Sequence, residues 1–171
     1  MMGRRYEPPF RMEWGDPLRM AATYILVSGV AAQYSVASLF NDSTTGQILC
    51  PYDVTIDVQN NTGAINYFYI AQGLQGTVVV PTFSLFTIGA NLSGKGYQGS
   101  RALNPVPLFA YTPLSYQGSN THDFPLAFVT PCYSFALIST AQSTQIACTI
   151  YYEWRYQWEI PVVPAAAPGG D

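Results

Sequence analysis

Hydrophobic and polar residues alternate along residues 148–160, near the C-terminus. One set of alternate positions is apolar or aromatic, and the other set is mostly polar and includes Glu153 and Arg155. Alternate side chains of a β-strand point to opposite faces, whereas a helix would scatter them. The segment therefore predicts one long, half-buried strand. Its buried face is predicted to consist of Cys148, Ile150, Tyr152, Trp154, Tyr156, Trp158 and Ile160.

A second alternation places three aliphatic residues, Val54, Ile56 and Val58, between polar ones. The turn-forming residues 60–63 follow, and another apolar run covers residues 65–70. Asn and Gly favour the tight turns that join antiparallel neighbours. The two apolar segments are therefore predicted to form a β-hairpin.

Two further strand regions are indicated by β-branched and aromatic residues. Residues 77–88 form one run, in which Pro81 predicts an edge position or a bulge because proline cannot donate to a ladder. Residues 133–139 and the strand from Ile146 onward are predicted to pair with each other through the link 141–145.

The chain has 171 residues with 14 Gly and 13 Pro, and its strand signals recur at the spacing of a β-sandwich or barrel. We expect a single all-β domain over residues 21–160, because this length closes one sizeable core. The mostly loop region 89–131 is expected to meet partners. Residues 1–20 are expected to form an extended N-terminal arm, and residues 161–171 an extended C-terminal tail.

The N-terminal arm combines basic, aromatic and proline residues and has neither helical nor strand periodicity. Aromatic side chains are costly to leave in water, so we expect the arm to lie in a groove of its own domain or of a neighbour. The residues expected to serve assembly are Arg4, Arg5, Tyr6, Phe10, Arg11, Trp14 and Arg19.

The uncharged stretch 21–40 follows four arginines and has to be weighed as a membrane span or a signal sequence. Polar and tyrosine residues dilute its hydrophobicity, and the twenty residues before it make a long leader region, so neither is expected. Val30-Ala31-Ala32 nonetheless imitates a cleavage site. A secreted β-sandwich cleaved near Ala32 is kept as a third alternative.

Charge is scarce, since 10% of the residues are charged against about 25% in an ordinary soluble domain. A surface of neutral polar and apolar groups favours association with other proteins. The net charge is −3 and Lys95 is the single lysine, so a general electrostatic affinity for nucleic acid is not expected.

The sequence offers no convincing catalytic constellation, and we expect that the protein is not an enzyme. The single histidine, His122, stands beside Asp123 in a polar segment and is interpreted as a solvated loop residue, because adjacent residues seldom orient each other as a triad requires. The cysteines, Cys50, Cys132 and Cys148, lack zinc-ligand spacing and are interpreted as small buried residues. No cofactor is expected.

Other motifs have both a functional and a plainer interpretation. Asp53 and Asp57 share a strand face about 13 Å apart at ~3.3 Å per residue. With Asp42 or Asp123 they would suit calcium, but an exposed polar face is favoured. The Gly-Lys-Gly segment 94–96 resembles part of a phosphate loop and is interpreted as a flexible turn. Sequons begin at Asn41, Asn60 and Asn91 and are attributed to chance.

Aromatic residues make up 15% of the chain. Those of residues 152–158 would also suit sugar stacking, but their alternation is what a buried sandwich face requires, and a core position is favoured. The tyrosines expected to remain available for interfaces are Tyr97, Tyr111, Tyr116 and Tyr151.

The closing segment CTIYYEWRYQWEIP, residues 148–161, resembles the last strand of viral single jelly-roll capsid proteins, in which a long strand of aromatic and charged residues precedes a proline-bearing tail. The resemblance extends over residues 40–160, and the arm matches that family's habit of docking arms between subunits. Within the family, the size and the sparse lysine resemble those of the small major capsid protein of tailless, internal-membrane icosahedral phages of thermophilic bacteria. The chain differs from small RNA-virus coats in having no Arg-rich arm, which puts direct genome packaging in doubt.

The resemblance implies a single jelly-roll β-barrel or sandwich with extended arms. It also implies a virion structural protein, located in the capsid, that assembles into an icosahedral shell. The implied partners are copies of itself, other virion proteins and an internal membrane surface facing the arm arginines, with no sequence-specific nucleic acid and no small-molecule substrate. The alternative is a carbohydrate- or receptor-binding β-sandwich, such as a spike or fibre head, that uses loop tyrosines and Asp residues.

Overall fold

The computed structural model describes most of the chain between Arg19 and Ile160. The described residues are 19–59, 65–73, 75, 78–80, 82–84, 94–102, 114–115, 118–123 and 127–160. They contain eleven strands: β1 (Met20–Val27), β2 (Tyr34–Asn41), β3 (Gln47–Val58), β4 (Ile65–Gln72), β5 (Val78–Val80), β6 (Thr82–Ser84), β7 (Gly94–Arg101), β8 (Leu114–Ser115), β9 (Gly118–Asp123), β10 (Tyr133–Gln142) and β11 (Ile146–Tyr156). A 3-10 helix, Gln157–Glu159, follows β11.

The strands form two antiparallel sheets, as expected of a β-sandwich. One sheet has five strands in the order β6-β1-β11-β3-β9, and the other has six in the order β5-β7-β2-β10-β4-β8. The predicted all-β class is confirmed. Both predicted arms lie largely outside the described residues, although β1 already begins at Met20.

The core between the sheets is made by alternate residues of the facing strands. Val54, Ile56 and Val58 of β3 are buried in one cluster with Phe135 and Leu137 of β10. Burying a side chain of this size contributes about 1.5–3 kcal/mol. The predicted inward face of residues 54–58 is therefore confirmed.

The central strands of the six-stranded sheet are buried on both faces. Ala37 and Leu39 of β2 belong to the main core, whereas Val36 packs with Ala136 and Ile138 in a second cluster on the opposite face. A strand covered on both faces reads as a continuous apolar run. For β2, this explains the uncharged, apolar composition that makes residues 21–40 resemble a membrane span.

Two predicted strand pairings are wrong. β3 has β11 and β9 as neighbours, and β4 has β10 and β8, so the segments around residues 60–63 do not form a hairpin. β10 and β11 likewise lie in different sheets. The link after β10 crosses between the sheets, and there Ser35 donates a buried hydrogen bond to the Thr144 carbonyl. In both cases consecutive strands bury their apolar faces toward each other across the sandwich instead of pairing edge to edge.

The described part of the region 89–131 includes three strands, β7 to β9, and is less loop-like than predicted. The Gly-Lys-Gly segment is not a turn, because it opens β7 and pairs with the end of β2. A Cβ atom on Gly94 would lie 2.5 Å from the hydroxyl oxygen of the buried Tyr152, so glycine is required by close packing. Pro81 itself lies outside the described residues, but the strands on either side of it are both edge strands, each of a different sheet.

Candidate interaction surface

The end of β11 and the 3-10 helix carry a row of three aromatic rings in contact. These rings, which we name the aromatic ledge, belong to Trp154, Tyr156 and Trp158. The Trp154 and Tyr156 rings meet edge to face with centroids 5.7 Å apart, and the Tyr156 and Trp158 rings are parallel within 7° at 5.9 Å. Trp154 packs against the core, whereas Trp158 is 71% exposed. The ledge therefore begins in the core and ends in solvent.

The exposed end of the ledge corrects the predicted strand. β11 stops at Tyr156, so the alternation that would bury Trp158 and Ile160 does not continue. Trp158 is a surface residue, so its predicted place on the buried face is wrong. The signal that marks the change is Pro161, because proline ends regular pairing close to its position.

Arg19 and Glu159 hold the ledge in place. The Arg19 guanidinium carbon lies 5.2 Å from the Trp154 ring centroid, and Arg19 Nη1 lies 2.5 Å from Glu159 Oε2. Glu159 Oε2 also accepts a 2.8 Å hydrogen bond from the Tyr156 backbone N–H. Partial burial opposes the shift, but these two hydrogen bonds hold the pKa of Glu159 below its ordinary value. Trp158 thus sits on a short helix whose ends are fixed.

The opposite face of β11 carries a buried ion pair. Glu153 Oε1 and Arg155 Nη2 are 2.6 Å apart, and both side chains are buried. Cys50 lies directly across from Glu153 on β3. Burial, together with the Glu153 charge, raises the pKa of the Cys50 thiol to about 12. The predicted exposed polar face is therefore wrong at these two residues, which are covered as thoroughly as the core.

A second apolar surface lies at the other end of β1. Tyr24, Leu26 and Val30 are each between 40% and 48% exposed. Tyr24 and Leu26 alternate with the buried Ile25, so they point away from the core. Exposed apolar side chains grouped in this way mark protein-protein contact surfaces more often than isolated ones do. We name these three residues the β1 patch.

The predicted assembly residues fall mostly outside the described residues. Arg19 is described and belongs to the support of the aromatic ledge. The other six, for which no structure is described, are Arg4, Arg5, Tyr6, Phe10, Arg11 and Trp14.

Some of the residues weighed for chemistry lie on neighbouring strands, and others do not. His122 and Asp123 lie in β9, not in a loop, and Asp123 is the register partner of Asp53. Asp42 forms an ion pair with Lys95 and does not join them. Among the residues that the structure describes, no group of three His, Cys, Asp or Glu side chains is placed to hold a metal ion.

The cysteines differ in their surroundings. All three are free thiols; Cys50 and Cys148 are buried, as predicted, but Cys132 is exposed, so the prediction is wrong there. Burial raises the pKa of the Cys148 thiol to about 12. Cys132 occupies a turn with φ of +66°, immediately before β10. A thiol kept protonated by burial is a poor nucleophile and metal ligand.

The tyrosines expected at interfaces behave differently from one another. Tyr97 is buried in β7 and packs edge-on against Phe40 with centroids 6.0 Å apart, so it is not available. Tyr151 is half-buried and contacts Tyr52. Tyr111 and Tyr116 lie outside the described residues.

The first sequon is structural. The Asn41 amide is fully buried and donates hydrogen bonds to the carbonyls of Gln47 and Val129, at 2.8 and 2.7 Å. It closes the connection between β2 and β3 and is inaccessible to a glycosylating enzyme in the folded chain. Asn60 and Asn91 lie outside the described residues.

No helix in the described part of the chain has the length and apolar character needed to cross a bilayer. No protein-family model matches this sequence, and no curated protein or solved structure is significantly similar to it.

Proposed function

We propose that this chain is a virion structural protein, a capsid subunit with a single jelly-roll fold. The observation that carries the proposal is the nested pairing of its strands. When β5 to β7 are set aside, the first strand pairs with the last (β1 with β11), the second with the seventh (β2 with β10), the third with the sixth (β3 with β9) and the fourth with the fifth (β4 with β8).

Nested pairing of this kind is the arrangement expected of a jelly roll, in which eight strands form a long antiparallel ribbon wound into two packed sheets. The wound ribbon also explains why β1 to β4, and again β8 to β11, alternate between the sheets. β5, β6 and β7 then represent an insertion between the fourth and fifth strands, and they extend one edge of each sheet.

Jelly rolls serve capsids, lectins and other proteins, so the fold alone does not decide the function. The surface favours assembly. Only 10% of the residues are charged, and the β1 patch and Trp158 present apolar groups to solvent at well-separated places. A shell subunit has to contact several neighbours, and such surfaces suit that requirement.

The position of the chain ends also supports assembly through arms. Arg19, just before β1, is bonded to Glu159, just after β11. The described chain therefore begins and ends at neighbouring points of the domain, from which residues 1–18 and 161–171 continue. We propose that they contact copies of this chain and other virion proteins, and that the arm arginines face an acidic partner or the head groups of an internal membrane.

Sedimentation of source material on a density gradient tests the proposal. Mass spectrometry should find many copies of the chain per virus-sized particle. Deletion of residues 1–18 should leave the circular dichroism of the domain unchanged and prevent particle formation; Tyr133→Ser, an exposed position outside the β1 patch and the aromatic ledge, serves as the folded control. Recovery of the chain only as a small free species would contradict the capsid assignment.

The carbohydrate-binding alternative has one supporting observation, the exposed Trp158 ring stacked on Tyr156, since aromatic faces stack on sugars. Tyr97 cannot contribute to such a binding site, because its side chain is buried. A glycan array distinguishes the two functions: saturable binding that Trp158→Ala abolishes would favour the binding module.

A further inference from the structure

The aromatic ledge has the character of a preformed binding site. An exposed tryptophan on a mobile segment would have to be ordered by its ligand, but Trp158 is already ordered by its stack on Tyr156 and by the bonds of Glu159 on the same helix. A site that is rigid before binding avoids that entropic penalty. Trp158 is the most exposed large hydrophobic side chain of the described residues, which points to an apolar, flat ligand.

The charged groups at the ledge are already engaged. Both carboxylate oxygens of Glu159 bind Arg19, and one of them also accepts the Tyr156 N–H. A sugar site needs polar groups that are available to its hydroxyls, in addition to a ring. A polyproline II segment needs mainly aromatic surface, because its proline rings pack against the aromatic side chains. The ledge therefore suits the second ligand class better.

Such a segment follows directly in this chain. Residues 161–171 read PVVPAAAPGGD, and the Pro161–Pro164 spacing is the P-x-x-P pattern of polyproline II ligands. In that conformation eleven residues reach about 34 Å at 3.1 Å per residue. This length is ample to cross from one subunit to the next.

The described end of the chain bears on which copy supplies the tail. Ile160 is extended, with φ of −90° and ψ of 123°. A residue before proline strongly prefers such extended conformations, so the chain does not reverse between Ile160 and Pro161. Trp158 precedes Pro161 by only three residues, and covering its ring would require that reversal. The geometry points to a second copy as the source of the tail.

We propose that the aromatic ledge is a polyproline II-binding site occupied by residues 161–171 of a second copy of this chain. Each copy carries one ledge and one tail side by side, so two copies can exchange tails about a two-fold axis, with the same contact made twice. This inference rests on the proposed assembly function, in which copies of the chain meet.

Sedimentation velocity on the full-length chain tests the exchange. Trp158→Ala removes the ledge, and the double variant Pro161→Ala/Pro164→Ala removes the tail pattern. An interface tryptophan of this type is often a hot spot, and the double variant removes the prolines that would pack against it. Each variant should therefore raise the dissociation constant by about thirtyfold or more. Tyr133→Ala removes an aromatic side chain that is also exposed, but outside both the aromatic ledge and the β1 patch, and should leave the constant unchanged.

Mixing the two variants tests whether the contact is between chains. A mixed pair regains one intact contact, the tail of the Trp158→Ala chain on the ledge of the double variant, so the mixture should associate more tightly than either variant alone. A synthetic peptide of residues 161–171 should compete with wild-type association. Three outcomes would overturn the inference. The mixture could associate no more tightly than either variant alone, or the wild-type chain could be a monomer. The third is that a glycan, in place of the peptide, binds in a Trp158-dependent way.

The two proposals fail separately. Particles that contain the chain but tolerate both variants would reject tail exchange and keep the capsid function. A chain absent from particles that nevertheless shows the mixing effect would reject the capsid function and keep tail exchange.

Discussion

The buried ion pair of β11 gives the sharpest test of the folded structure. Glu153→Gln preserves the shape of the side chain and removes its charge, which leaves the Arg155 guanidinium buried without its carboxylate. Breaking a buried pair in this way costs about 3–5 kcal/mol. For a chain of this size, where 1 kcal/mol shifts Tm by about 2–4 °C, the melting temperature should fall by roughly 6–20 °C.

The exposed pair Lys95–Asp42 provides a matched control. Its side chains are 43% and 47% exposed, and such pairs contribute about 0–1 kcal/mol. Asp42→Asn should therefore change the free energy of unfolding little. Urea unfolding followed by tryptophan fluorescence measures both variants. A Glu153→Gln cost no larger than that of Asp42→Asn would refute the claim that burial determines the strength of the pair.

A double substitution separates the charge from the packing. Glu153→Leu with Arg155→Met replaces the pair by apolar side chains, and replacement of a buried pair in this way is often neutral or stabilising. The double variant should recover most of the stability that Glu153→Gln loses. A double variant as unstable as the single one would show that the two side chains are needed for hydrogen bonds to the rest of the fold.

Three further outcomes are expected. Gly94→Ala should destabilise the chain by about 1–3 kcal/mol in urea unfolding, because the new Cβ would overlap the buried Tyr152 ring. Iodoacetamide should alkylate the native chain once, at Cys132, and modify the two buried thiols, whose pKa values are raised to about 12, only after unfolding; intact-mass spectrometry counts the adducts. The folded pKa of Glu159 is lowered from the ordinary 4.5, so its contribution is present above that pH and lost as the pH falls through the lowered pKa; Glu159→Gln should abolish this part of the acid dependence of thermal stability.

The period-two pattern predicted which residues of a strand face inward. Val54, Ile56 and Ile150 all lie in the core as their alternation indicated. It did not predict which strands are neighbours, because alternation describes the faces of a strand and not its edges. Turn-forming residues after β3 predict a hairpin, but the same residue types serve a crossover between sheets equally well.

A local sequence pattern also cannot predict whether the polar face of β11 is buried. Glu153 and Arg155 occupy the polar positions of the alternation, and charged residues are rarely fully buried unless they are paired. What covers that face depends on distant segments. Gly94, at the start of β7, predicts a flexible turn from sequence alone. In the structure, glycine is needed there because the Tyr152 ring lies too close for a Cβ atom.

The aromatic ledge shows why the candidate site could not be derived from the sequence. The apolar alternation continues through Trp158, so its period does not mark the end of the strand. Pro161 indicates only that regular pairing ends nearby. The strand ends where Glu159 turns back to the Tyr156 N–H and binds Arg19, which is 140 residues away along the chain. The exposure of Trp158 is thus a consequence of a contact between the two ends of the domain. Any prediction of this surface therefore requires the relative position of the first and last strands, which only the tertiary structure provides.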